Sequence, residues 1–315
     1  DSNAVDVDDK RQPQHPLTHI SPISPIRIFR PNPYLEIAFD VRTRNPVYVL
    51  EHLQKDEIET TTKQKRPNFF EEKSLRDCYR SKPSHYKNSG YDRGHLAPSA
   101  DFHEYNKDTF TLCNVSPQNH AMNVSIWARL EHWCRHVAKK NEASDVETYV
   151  VSGPLWLPNK IVETNKRYQF GHFALGAPPS LVHVPTHFFK AIVVVRNNQI
   201  RKHACFVIPN AEPSAPKSKR AELEDFVVQW DDLEAVSGLE LFPAMLRNQS
   251  LMASTTKNAL TQNKRNQPSM LMLTDGRRDQ QQAKSTRRKM AHGEASAAAA
   301  ALVHLCSDGS CRSKK

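Results

Sequence analysis

The sequence predicts an α+β domain set between two irregular, disordered extensions, and three observations predict it. Strand-type runs alternate with turn residues, a helical stretch occupies mid-chain, and the composition changes at about residue 34 and again at about residue 247. The 315 residues are 38% hydrophobic and include 13 Phe, 8 Tyr and 4 Trp, enough for a sizeable core in one large domain or two average ones.

Residues 1–33 carry Pro13, Pro16, Pro22, Pro25, Pro31 and Pro33 together with Asp6, Asp8 and Asp9, the composition of a flexible arm. From Tyr34 the pattern changes. Leu35–Phe39 and Val47–Leu50 read as strands, joined by a turn over Arg42–Pro46, which is a hairpin signature. Thr109–Cys113 reads as another strand, and Val124 to about Lys139 as a helix with Ile126, Leu130 and Val137 at apolar spacing. Thr148–Val151 is a strand that Gly153-Pro154 is expected to end. The apolar run Phe188–Val195 and then Ala204–Ile208 complete the strands, and His187-Phe188-Phe189 reads as core rather than as a base-stacking platform. Asp231 to Glu234 suits the first turn of a short helix, where acidic side chains meet the positive end of the dipole. The domain therefore spans 34–246. Residues 247–315 form a basic, low-complexity tail containing Arg287-Arg288-Lys289 and the alanine run Ala297–Ala301.

The net charge of +10 favours polyanionic partners, because Lys and Arg that neutralise phosphates release counterions; a basic solvated surface accounts for it equally well. Six cysteines without a CxxC rhythm argue against structural zinc and are too few for a disulfide scaffold. Cys113, Cys134 and Cys205 read as buried thiols, while pairing of Cys306 with Cys311 is left open. The longest apolar run, Ala297–Val303, is far short of the roughly 20 residues of a membrane span. The chain starts at Asp1 rather than Met, so a removed leader stays an open reading.

The chemistry concentrates between Ser89 and Arg135. Asp92-Arg93-Gly94-His95 is followed by Asn114-Val115-Ser116-Pro117-Gln118 and then by Asn123, Trp127-Ala128-Arg129-Leu130-Glu131 and Arg135. In a helix, Asn123, Trp127, Glu131 and Arg135 at successive i+4 steps drift only about 40° each, so all four share one broad side. Alone, that side could equally be a solvated polar face. Beside it, a neutral imidazole at His95 can take a proton from water near neutral pH, and Arg93 offers a fork for phosphate oxygens. Trp127 and Trp133 read as packing residues.

These motifs resemble the DNA/RNA non-specific endonucleases of the ββα-metal fold, and among them the mitochondrial endonuclease G group with its exo/endonuclease G-like paralogues. The resemblance extends over residues 34–246. It includes Phe39–Pro46, Val151–Leu155, Val184–Lys190, Val207–Asn210, Leu233-Glu234, Ser237–Leu239 and Phe242-Pro243. Cys306–Cys311 is similar to a short segment beyond the nuclease domain of the paralogue.

The resemblance implies a central antiparallel sheet flanked by helices and hydrolysis of DNA and RNA, double- and single-stranded, to 5′-phosphate and 3′-hydroxyl ends. His95 matches the general base and Asn123 the residue that alone binds Mg²⁺ directly, with Mn²⁺ as a substitute. Glu131 matches the carboxylate that holds metal-bound water. Arg44, Arg93 and Arg135 match arginines placed at the scissile phosphate. Asp92 fits an orienting role, and Asn114 and Gln118 match supporting polar residues. The resemblance further implies a homodimer and a mitochondrial protein, with release to the nucleus; a secreted enzyme is the alternative. Two other readings of the function stand beside this one, a 5′–3′ exonuclease using the same site and a catalytically silent nucleic-acid-binding protein.

Overall fold

The computed structural model describes residues 25–60, 65–141, 143, 145–158, 160–162, 167–213, 221–243 and 303–304. The expectations for residues 1–24, for Cys306 and Cys311 and for nearly all of the C-terminal tail lie outside these.

Seven strands form one large sheet, which an eighth joins at β12. They are β1 (Ile26–Asn32), β2 (Leu35–Asp40), β3 (Asn45–Leu53), β6 (Val146–Leu155), β11 (His187–Arg196), β12 (Gln199–Pro209), β13 (Val227–Val228) and β14 (Val303–His304). The spatial order is β1-β2-β3-β6-β11-β12-β13, with antiparallel neighbours throughout, and β14 lies parallel against β12. Three two-stranded pairs stand apart: β4 (Tyr91–His95) with β5 (Val115–Asn119), β7 (Lys160–Val162) with β8 (Arg167–Gln169), and β9 (Ala174–Ala177) with β10 (Ser180–His183). The helices are α1 (Lys55–Glu59), α2 (Pro83–Tyr86), the single turn α3 (His120–Met122), α4 (Ala128–Lys140) and α5 (Trp230–Ser237). This is the α+β architecture expected, an antiparallel sheet with few helices.

The sheet is covered on both faces, which explains why β11 is apolar over most of its length, Lys190 excepted. Successive side chains alternate between faces. Phe188, Ile192 and Val194 join the core beneath α4, made with Leu130, Trp133, Cys134 and Val137. Phe189, Ala191, Val193 and Val195 join a second core closed by Trp230 and Leu233 of α5. A strand buried on both sides needs hydrophobic residues at every position rather than at every second one. The acidic residues Asp231 and Asp232 do fall in the first turn of α5, which ends at Gly238 in the left-handed conformation (φ 69°). Cys113, Cys134 and Cys205 are buried free thiols.

Four local expectations need correction. Residues 26–32, read as part of the arm, form the edge strand β1; the edge tolerates Pro31 because no neighbour needs the missing N–H, and the register shifts between Phe29 and Asn32. Gly153-Pro154 does not end β6. The neighbouring β3 pairs only as far as Ser152, so Pro154 sits where that side carries no ladder, while β11 pairs on through Leu155. Thr109–Cys113 is not a strand but lies across two 3₁₀ turns, Asn106–Phe110 and Leu112–Asn114. Its polar side chains bind nearby backbone: Thr109 Oγ1 donates to Asn106 O, and Thr111 Oγ1 accepts from Cys113 N. Such bonds compete with a strand ladder. The helix expected from Val124 is composite, α3 running into a π-helical segment, Asn123–Trp127, and then α4. One-turn π segments recur at functional sites.

Candidate active site

The β4–β5 hairpin leads directly into α3, the π segment and α4, so sequence neighbours become a ββα unit. Asp92 lies opposite Gln118, Gly94 opposite Ser116 and His95 opposite Val115. Little hydrophobicity holds β4 in place; side chains from elsewhere anchor its partner. Asn210, at the end of β12, accepts from Asn119 N at 2.7 Å and donates to Pro117 O and Pro185 O at 3.0 and 2.9 Å. Ser116 donates to the fully buried Asn45 of the first hairpin.

Gly94 is a packing requirement. A Cβ there would meet Gln118 Oε1 at 2.0 Å, and Gln118 is itself fully buried. Asn114 holds the chain just past the histidine, accepting from Ala97 N at 3.0 Å and donating to Ala97 O and Thr109 O at 2.8 Å each. Asn114 thus bonds the backbone just past His95, whereas Gln118 only packs against Gly94, its buried amide atoms making no hydrogen bond among the described residues.

Arg93 and His95 are two apart on β4 and share a face. With Asn123 and Glu131 they line one cleft of about 420 Å³, whose walls include Arg66, Ser99, Asn106 and Phe110. The His95 ring packs against Phe69 (5.0 Å between centroids) and edge-on to Phe110 (4.8 Å). Burial among these rings, reinforced by the Arg66 guanidinium, pulls His95 down to about 4. The imidazole is thus neutral at physiological pH. Its Nε2 is buried without a hydrogen-bond partner, a costly arrangement unless water or substrate supplies one. The Arg93 guanidinium lies 4.7 Å over the Phe69 ring.

Asp92 orients its neighbour across the hairpin. Its Oδ2 accepts from Asn123 Nδ2 and pairs with His120 Nδ1, both at 2.9 Å. With Nδ2 engaged, the free atom of the Asn123 amide is Oδ1. Burial pushes Glu131 up to about 7; Asp101 adds to the rise, while Lys190 and Arg135 oppose it. Asn123 and Glu131 offer hard oxygen donors of the kind Mg²⁺ takes. Among the described residues no cluster of three or more His, Cys, Asp or Glu side chains could cage a metal. The donor set fits a cation that keeps most of its waters.

Two expected phosphate contacts are not brought to this cleft. Arg44 is buried, and its guanidinium donates to Leu181 O at 2.7 Å and Cys78 O at 2.5 Å. Its positive φ of 53° turns the chain between β2 and β3. Arg135 donates to the buried carboxylate of Asp101 at 2.6 Å. Desolvated Asp101 needs that partner, so the helix side that carries Asn123 and Glu131 to the cleft commits Arg135 to the interior. Trp127, on the same i+4 series, is fully buried against Phe188. Trp133 packs edge-on to Phe206, so both indoles are packing residues. Arg66, which sequence reasoning passed over, is the additional cation lining the cleft, 5.7 Å over the Phe110 ring. The available signal was the basic run Lys63-Gln64-Lys65-Arg66 before Pro67.

A β-hairpin handing its chain to a helix, with a histidine on the hairpin and an amide and a carboxylate on the helix sharing one cleft, is a ββα-type site. The chain belongs to the DNA/RNA non-specific endonuclease family, whose family model matches residues 19–248. It is similar to the mitochondrial nuclease of Saccharomyces cerevisiae, 38% identical over 214 residues that are 65% of this chain and 62% of that protein. The mitochondrial nuclease EXOG of Xenopus laevis is 33% identical over 220 residues, 68% of this chain and 58% of that one. Human mitochondrial endonuclease G is 32% identical over 223 residues, 70% of this chain and 71% of its own length. The chain thus spans about three fifths of the length of the yeast and Xenopus relatives. Among solved structures, a chain of the EndoG/EndoGI complex, described as showing the mechanism of EndoG inhibition, superposes with a TM-score of 0.60 at 29% identity; the match covers 68% of this chain and 85% of that one.

Proposed function

We propose that this chain is a metal-dependent, sequence-nonspecific endonuclease that hydrolyses phosphodiester bonds of DNA and RNA and leaves 5′-phosphate and 3′-hydroxyl ends. The observation that carries the reading is the cleft itself. A desolvated neutral imidazole with an orphaned ring nitrogen shares about 420 Å³ with Asn123, Glu131 and two arginines.

His95 takes the proton from the attacking water. Its lowered pKa keeps the ring unprotonated at neutral pH, and an arriving phosphate raises its proton affinity by placing negative charge beside the ring. Arg93 and Arg66 hold the nonbridging oxygens, each guanidinium braced over an aromatic ring. Asn123, and Glu131 through water, would hold Mg²⁺ or Mn²⁺, which supplies Lewis-acid stabilisation of charge developing on the phosphate. Asp92 keeps the Asn123 amide turned for that task. Arg44 and Arg135 act at a distance, Arg44 by fixing the first hairpin and Arg135 by satisfying Asp101. Groups that address phosphate and metal read no bases, so cleavage is indifferent to sequence.

The names of the relatives support a mitochondrial location, and a homodimer follows from the same resemblance. Plasmid nicking with Mg²⁺ or Mn²⁺ tests the activity. Wild type is expected to cut and His95→Ala to be nearly inert; equal cutting by both removes the proposed base. Circular single-stranded DNA tests the mode, since an enzyme that needs an end leaves it intact.

A further inference from the structure

Behind the cleft lies a charged side chain to which the nuclease reading gives no task. Lys190, on β11, is 1% exposed and projects between Phe188 and Ile192 into the core beneath α4. Burying an ammonium there is costly unless every donor is used. Its Nζ donates to Leu96 O at 3.0 Å and to Ser152 Oγ at 2.5 Å. It lies 3.6 Å from Oε1 of the fully buried Glu51 and 4.9 Å from the centroid of the Trp127 ring.

The partners matter more than the charge. Trp127 Nε1 donates to His95 O at 3.2 Å, so the indole beneath the ammonium grips the carbonyl of the proposed base. Lys190 takes the next carbonyl, Leu96 O, and Asn114 takes the one after, Ala97 O. Three consecutive carbonyls starting at His95 are each held by a side chain from a different element.

We propose that Lys190 is a positioning residue for His95, holding the Leu96 carbonyl directly and the His95 carbonyl through Trp127, and so fixing where the imidazole stands in the cleft. The assignment rests on the nuclease reading of that cleft. Displacing a catalytic group by about an ångström can cost on the order of a hundredfold in rate. Lys190 hydrogen-bonds no side chain that lines the cleft and reaches Glu131 there only through its charge, so at saturating Mg²⁺ its loss acts on kcat and leaves KM within about twofold.

The test compares the full chain as wild type, Lys190→Met and Lys190→Met/Glu51→Gln. The double variant removes the charge that Lys190→Met alone would strand. The expected result is a double variant that melts near wild type, has kcat lowered roughly tenfold to a hundredfold at nearly unchanged KM, and shows displaced His95 ring signals in ¹⁵N NMR of the metal-free protein. A double variant with wild-type kcat and wild-type His95 signals overturns the proposal, since charge compensation would then be the whole role of Lys190. If neither variant folds, Trp127→Phe decides. It removes the N–H to His95 O while keeping a ring, and it must lower kcat and move the His95 signals for the proposal to stand. A wild-type protein that cuts nothing counts against the nuclease reading, whereas the ring signals judge the positioning independently of cleavage.

Discussion

Asp92 Oδ2 stands 2.9 Å from Asn123 Nδ2, and that one hydrogen bond leaves Oδ1 as the free end of the amide, the end that the proposed metal would need. An amide can turn end for end at almost no steric cost, so a carboxylate that accepts only from N–H removes the ambiguity. Asp92→Asn restores it while keeping the shape. The expected outcome is a fall of roughly 10–100-fold in activity at limiting Mg²⁺, the usual range for losing a group that orients a metal ligand. Higher Mg²⁺ recovers part of it. A cleavage titration with Mg²⁺ checks this; an unchanged half-saturation point rules out the orienting role.

Glu131 sets function against stability. Its folded pKa is raised to about 7 by burial, above the ordinary carboxylate value. The stability it contributes is fully present below the unfolded value of about 4.3 and is lost as pH rises through about 7. Glu131→Gln escapes that loss. Its unfolding free energy near pH 8 is expected to exceed wild type by about 1–2 kcal/mol, with little difference near pH 5, while cleavage collapses. Denaturant melts at the two pH values decide it, and a variant destabilised equally at both contradicts the burial of an ionised carboxylate.

His95 carries the opposite sign. Burial and Arg66 lower its folded pKa to about 4. The stability linked to its neutral form is present above the unfolded value of about 6.5 and is lost as pH falls through about 4. NMR of the metal-free protein should show this ring still neutral near pH 5.5, where an ordinary imidazole is mostly charged. A midpoint between about 6 and 7 would mean that the ring is not desolvated as the Phe69 and Phe110 contacts require.

The residues that meet in the cleft were legible where chemistry and spacing coincide in short stretches. Arg93 and His95 are adjacent but one, and Asn123 and Glu131 are two helical turns apart, so local geometry alone brings each pair together. The doubly covered β11 was legible from its long apolar run, interrupted only by Lys190. β4 was not, because its polar sequence carries no period-2 pattern and its conformation comes from pairing with β5. Thr109–Cys113 misled because β-branched and aromatic residues suggest a strand, while Thr109, Thr111 and Asn114 bind backbone locally. Residue type likewise could not say where a long cationic side chain ends: Arg135 is drawn inward by Asp101, 34 positions away, and Arg66 reaches the cleft wall only through tertiary folding.

That contrast among the arginines gives the last prediction. Arg44 and Arg66 are both candidate phosphate ligands by charge, yet the structure gives them opposite surroundings. Arg44 is 7% exposed and donates to two carbonyls far apart in sequence, so Arg44→Ala leaves Leu181 O and Cys78 O without that donor and opens a cavity under the first hairpin. The expected cost is about 2–4 kcal/mol of stability, with activity per folded molecule reduced only modestly. Arg66 is exposed and rests on Phe110 at the cleft wall. Arg66→Ala should leave the melting temperature nearly unchanged and lower kcat/KM by roughly 10–100-fold, the scale for removing one donor from developing phosphate charge. It should also raise the His95 titration midpoint, since Arg66 is one of the two influences holding that ring neutral. Melting curves, steady-state kinetics and the His95 titration on the two variants separate the roles. If Arg44→Ala keeps its stability and loses cleavage while Arg66→Ala does neither, the phosphate-binding arginine has been placed on the wrong side of the hairpin.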